Sequence, residues 1–189
     1  MKKIASVLLV AMLALCLAAC GGGKDNNAGT VEIADATEIL TTVWGTYAED
    51  EMFPVGGGDS ANMSMEGPAK FDVANTEELA YMLNFPVELA DKIDDAASMV
   101  HMMNLNTFTA GAYHVVDAAE MSTVVDAIKD KVMNNHWMCG FPETLIIVQV
   151  GDSYVVSAYG NGELIDNFQS KLLAAYKGAA EVVVEESLM

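Results

Sequence analysis

The chain has 189 residues, with 27 acidic residues against nine lysines and no arginine, a formal net charge of −18 and an isoelectric point near 4.2. A surface this acidic repels nucleic acid and anionic lipid head groups, and arginine, the usual reader of phosphate and guanine, is missing, so no nucleic-acid partner is expected. Apolar residues make up 52% of the chain, enough at this length to bury one core without further support.

The first twenty residues carry an address. Lys2 and Lys3 precede an unbroken apolar stretch from Ile4, which ends in Leu17-Ala18-Ala19-Cys20 and Gly21-Gly22-Gly23. A basic start, a short apolar segment and small residues before a cysteine read as a lipoprotein signal peptide over residues 1–19, cut so that Cys20 becomes the lipid-bearing first residue. The apolar run is shorter than the ~20 residues a bilayer crossing needs. Two or more acyl chains on Cys20, at about 0.8 kcal/mol per buried methylene, would anchor the protein stably. The expected location is therefore the extracytoplasmic face of the cell membrane, with the bilayer as a partner through acylated Cys20. Removal of residues 1–19 takes two lysines and no acid, leaving seven lysines against 27 acids, a net charge of −20. The acids are scattered, which fits solubility and standoff from an anionic envelope; a cationic ligand, such as a metal or basic peptide, is the alternative. Cys16 leaves with the signal and Cys20 is acylated, so Cys139 is a free thiol with no disulfide partner. Its expected role is that of a small buried apolar side chain, the alternatives being a nucleophile or a mixed-disulfide partner.

Glycine, asparagine and small polar residues over 20–33 read as a tether with nothing to bury. Ile39, Leu40, Val43, Trp44 and Tyr47 then form one helical stripe behind an Asp35/Glu38 cap, predicting a helix to about Glu49. Residues 52–70, with Gly56-Gly57-Gly58 and two prolines, carry no periodicity and predict a long surface loop. Asn75 and Glu78 repeat the cap ahead of Leu79, Met82 and Leu83. Pro86 restarts a second short helix with Val87, Leu89, Ala90 and Ile93 inward. Strands are predicted from Met99 to Met103 and from Thr107 to Val116, about a turn at Asn104-Leu105-Asn106. Asp117 and Glu120 open the strongest helical stripe, through Met121, Val124, Val125, Ile128 and Val132. Thr144 to Val150 and Ser153 to Tyr159 flank Gly151-Asp152 as a two-residue hairpin, and Gly162 to Tyr176 gives a last helix closed by Gly178. Leu145 to Val148 is apolar on both alternate faces, as in a strand covered on both sides.

The predicted domain is α+β, spanning residues 34–178. It has a four-stranded, mostly antiparallel sheet made of two hairpin-helix units, packed with helices and preceded by an N-terminal helical segment. Residues 179–189 form a tail that either adds an edge strand through Val182-Val183-Val184 or trails in solvent. The lipobox, the acidic helical half, and Phe141-Pro142 leading into Thr144 to Val150, Gly151-Asp152 and Tyr154 to Tyr159 together resemble Firmicutes lipoproteins grouped as a domain of unknown function. The resemblance lies mainly between Ala96 and Tyr176 and implies an envelope lipoprotein. It brings no catalytic residues to carry over.

Eleven methionines remain after the signal is removed. Copper(I) prefers thioether ligands, and Met63 and Met65, with Met99, His101, Met102 and Met103, are the candidate set; Met99, His101 and Met103 are its centre. Methionine as a flexible core filler is the plainer reading, and on a strand Met102 points away from His101 and Met103. His136-Trp137-Met138-Cys139 places an imidazole near a thiol, with Glu143 as a possible third group, although a turn plugged by an aromatic explains it as well. His114 is read as structural. No phosphate loop, calcium loop, CxxC, HExxH or GxSxG is present, and no pair of carboxylates stands out for glycoside hydrolysis. No cofactor is implied. The reading is a membrane-anchored extracytoplasmic lipoprotein that acts as a non-catalytic binding or accessory module for an envelope protein or small ligand. Copper handling and an envelope hydrolase are the alternatives.

Overall fold

The computed structural model describes residues 31–189; the expected signal peptide, Cys20 and most of the expected tether lie outside the described residues. Its elements are α1 (Ala36–Trp44), β1 (Val55–Gly56), β2 (Ala69–Phe71), α2 (Thr76–Leu83), β3 (Ile93–His101), β4 (Phe108–Val115), α3 (Met121–Met133), β5 (Thr144–Val150), β6 (Tyr154–Gly160), α4 (Gly162–Ala175) and β7 (Ala180–Ser187). Short 3-10 turns occupy Val87–Lys92, Leu105–Thr107 and Ala118–Glu120. The class is α+β, but the sheet has seven strands rather than four. Its order is β1-β3-β4-β6-β5-β7, with β2 also paired to β3, and every pairing is antiparallel.

The three strands beyond the expected four escape sequence reading for separate reasons. With two and three residues, β1 and β2 are too short to show a period. Of residues 179–189, expected either to add an edge strand or to trail in solvent, 180–187 form β7. They pair with β5 over its whole length, with a bulge at Val183 that turns Val182 toward one face of the sheet and Val184 toward the other. The expected start of β3 at Met99 is also corrected, since the strand begins at Ile93 and takes in two carboxylates. The Asp94 carboxylate meets the His114 ring. Asp95 accepts from the Ala36 N–H at 2.7 Å, at the start of α1, and faces Lys70 at 3.5 Å. Acidic residues in a strand end are tolerated where each has a partner of this kind.

Helices cover both faces. On one, α1 and α4 place Ile39, Leu40, Val43, Ile165, Phe168 and Leu172 over Met99, Ala110, Ile146, Val148 and Val156. On the other, α2 and α3 place Leu79, Leu83, Val124, Ile128 and Val132 over Tyr113, Val115, Leu145, Ile147 and Val155. Leu145 to Val148 are fully buried on both sides for this reason. Two of the three predicted caps form: Asp35 accepts from the Glu38 N–H and Asn75 from that of Glu78, whereas Asp117 accepts from the Ala119 N–H and caps the 3-10 turn Ala118–Glu120, leaving α3 to follow Glu120 without a side-chain cap.

Three local expectations change. Val87, expected inward, is exposed, because Val87–Lys92 winds with three residues per turn instead of 3.6 and moves the stripe. The β5–β6 loop has three residues, Gly151 to Ser153, since Val150 pairs with Tyr154. Residues 52–70 are not a simple surface loop: Val55 to Asp59 are buried. Among the described residues no helix is long and apolar enough to cross a membrane.

Candidate functional site

An open cleft of about 490 Å³ lies at one end of the sheet, where β3 and β6 end and β4 and β5 begin. Three segments meet there: the end of α2, the turn between β3 and β4, and the loop from α3 to β5. The floor is Tyr159, the last residue of β6 but one. Its ring lies 5.1 Å from that of Trp137, and its hydroxyl accepts from Asn84 Nδ2 at 2.7 Å. Asn84 closes α2 in the left-handed conformation (φ 51°), which asparagine adopts more readily than most residues. Burial pushes the Tyr159 phenol up to about 12, so it stays protonated and donates toward the Met82 carbonyl.

Two carboxamides hold the opposite wall. Asn104 Nδ2 donates to the Cys139 carbonyl at 2.8 Å, and Asn106 Nδ2 to the Met138 and Gly140 carbonyls at 2.9 and 3.0 Å. These bonds fix a loop in which Cys139 has φ 63°, a left-handed conformation rare for residues other than glycine. Three anchored carbonyls in succession make this wall a built surface. Tyr81 stands at the rim, 80% exposed, with Met138 at 79%. No aspartate or glutamate lines the cleft, although the chain is strongly acidic.

Replacing Asn84 with alanine leaves the buried Tyr159 hydroxyl without its donor and puts a Cβ residue of lower tolerance in a left-handed position. The expected loss is roughly 2–3 kcal/mol in urea unfolding. Tyr159→Phe alone should cost less, and in the Tyr159→Phe background Asn84→Ala should lose much of its effect. Additive losses in that cycle would show that the bond contributes nothing.

The other candidates fall elsewhere. Met99 is sealed in the core, Met103 is exposed beyond the strand end, and His101 stacks on Phe53 with its Nδ1 accepting from the Met103 N–H at 3.2 Å. The three share no accessible site. Met63, Met65 and Met102 are exposed side chains. Among the described residues no group of three or more His, Cys, Asp or Glu is placed to hold a metal ion. Cys139 is exposed rather than buried, because the carboxamides grip its backbone and leave its side chain on the outer turn. It lines the cleft with His136, yet no hydrogen bond joins them among the described residues. Glu143 faces away from both; its carboxylate accepts from the Gly162 N–H at 2.8 Å and caps α4. His114 pairs with Asp94 at 2.5 Å at the far end of the sheet, a structural contact.

Sequence reading missed Tyr81, Asn84, Asn104 and Tyr159 as site residues. Asn104-Leu105-Asn106 signalled a turn, and nothing local says that its side chains cross to a loop more than thirty residues away. Compared with protein-family models, curated proteins and solved structures, the chain matches none.

Proposed function

We propose that the chain is a lipoprotein held by acylated Cys20 on the extracytoplasmic face of a membrane, where its α+β domain serves as a non-catalytic binding module. The carrying observation is Lys2-Lys3, the short apolar run and Leu17-Ala18-Ala19-Cys20. The position of the cleft supports the binding role. Ala36, the entry to the domain, is bonded to Asp95 at one end of β3, and the cleft lies beyond the other end. The eight residues of β4 separate the two by roughly 25 Å at ~3.3 Å per residue. The entry to the domain and the cleft thus lie at opposite ends of the sheet, which leaves the cleft clear of the attachment point.

Labelling with a palmitate analogue tests the anchor. In a bacterium that exports lipoproteins, the wild-type chain is expected to take up label and partition with detergent. Cys20→Ser should lose both. An unlabelled wild type, or label retained by Cys20→Ser, overturns the proposal.

A further inference from the structure

We infer that the cleft at the β4 and β6 end of the sheet binds a neutral saccharide, with one sugar face laid against Tyr81 and Trp137. The inference deepens the binding role proposed above and rests on it.

Four features of the cleft point the same way. The first is a pair of aromatic side chains on its lining, Tyr81 almost fully exposed and Trp137 half-buried against Tyr159. A sugar ring turns a face of polarised C–H groups outward, and an aromatic face carries the negative part of its quadrupole, so the two attract while both apolar surfaces leave water. Second, the polar groups around these rings are not all spent. The Asn135 carboxamide, the His136 ring and the Lys131 ammonium line the cleft without a side-chain partner among the described residues. They offer the mixed donors and acceptors that hydroxyl groups use.

Third, the walls are fixed before any ligand arrives. Tyr159 is held by Asn84, and the 138–140 loop by Asn104 and Asn106. A ligand then meets donors whose ordering cost has already been met by folding. The volume of about 490 Å³ lies within the ~300–1,000 Å³ typical of small-molecule sites. The fourth feature is charge. Aromatic walls in an acidic protein would suit a quaternary ammonium ion, but here no carboxylate lines the cleft and Lys131 does. A cation finds no carboxylate within the cleft to hold it, since Glu88 and Asp130 line the adjoining hollow instead, and an anion is repelled by the net charge of the whole chain. A neutral ligand rich in hydroxyl groups meets neither penalty.

Isothermal titration of the full chain with maltose, cellobiose and N,N′-diacetylchitobiose tests the inference, with choline as the cationic comparison. At least one disaccharide is expected to bind saturably and choline not at all. Tyr81→Ala should weaken binding about tenfold or more, and because its side chain is exposed the variant keeps the wild-type unfolding curve. Trp137→Ala should weaken it further. Absence of saturable heat with all three sugars overturns the inference, as does binding of choline in their place or binding unchanged in Tyr81→Ala. The titration does not depend on the lipid. A labelled chain that binds no sugar removes the saccharide alone, and an unlabelled chain that binds one removes the anchor alone.

Discussion

Gly57→Ala is expected to lower stability by roughly 3 kcal/mol, or about 6–12 °C in Tm for a domain of this size. A Cβ at residue 57 would lie 2.3 Å from the Ser98 carbonyl oxygen, 2.5 Å from the Ala69 nitrogen and 2.9 Å from the Gly67 oxygen. All three are backbone atoms of the sheet and its connection, so no rotamer change relieves the overlap. The strain would spread into its surroundings. The next residue, Gly58, has φ 84° and gives its N–H to Ser98 Oγ at 2.8 Å. Beyond it the buried Asp59 carboxylate accepts from the Asn62 and Asp72 N–H groups at 2.8 and 3.2 Å. Burial acts to raise the pKa of Asp59, and these donors more than offset it, holding the group below the usual carboxylate value. Gly67→Ala is the matched control: its Cβ would meet only Trp44, at 3.7 Å, and stability should stay within about 0.5 kcal/mol of wild type. Equal melting curves for the two variants would show that the close approach at Gly57 is not limiting.

A chain ending at Gly178 is expected to lose most of its folded population. Strand β7 pairs with β5 from Ala180 to Ser187, and backbone hydrogen bonds are worth ~0.5–1.5 kcal/mol each in net terms. Val182 and Val184 add apolar contact to the two opposite cores, and Glu186 binds Lys129 of α3 at 2.5 Å. Together these exceed about 5 kcal/mol, a large part of the ~5–15 kcal/mol that holds a domain folded. The exposed edge would also be a poor one. Strand β5 has four consecutive fully buried apolar residues, Leu145 to Val148, whereas β7 ends the sheet with a bulge and three glutamates, which discourage pairing with other chains. Circular dichroism and sedimentation of the truncated chain should show lost cooperativity and association. A cooperative melt within a few degrees of wild type would mean that residues 179–189 are dispensable.

Helix α3 shows what local pattern can do. Its stripe of five apolar residues at helical spacing is buried side chain for side chain, because a thirteen-residue helix on a sheet has only one way to hide such a stripe. The β5–β6 hairpin is legible in part: two apolar runs about a glycine mark the paired strands, but Val150 pairs with Tyr154, one residue off the register of the expected two-residue loop. Gly56-Gly57-Gly58 shows the opposite case. Without tertiary contacts three glycines read as loop punctuation, and the structure turns them into a buried passage against β3. Residues 180–187 lie between the two: the Val and Glu alternation permits a strand, and only the free edge of β5 selects it.

For the cleft the division is sharper. Trp137 and Cys139 stood out in the sequence as a possible aromatic plug and a lone thiol, while Tyr81, Asn84 and Tyr159 did not stand out at all. They come from three segments, and their convergence depends on how α2 crosses the sheet face, which no local spacing records. What the sequence determined by itself is the acidic charge, the caps of α1 and α2 and the apolar stripes. Each depends on residues within one or two turns of one another. Tertiary structure alone decided the seven-strand order, the burial of Val55 to Asp59, the exposure of Cys139 and the assembly of the cleft. Each of these is set by packing between segments far apart in the chain, where the partner, and not the residue, determines the outcome.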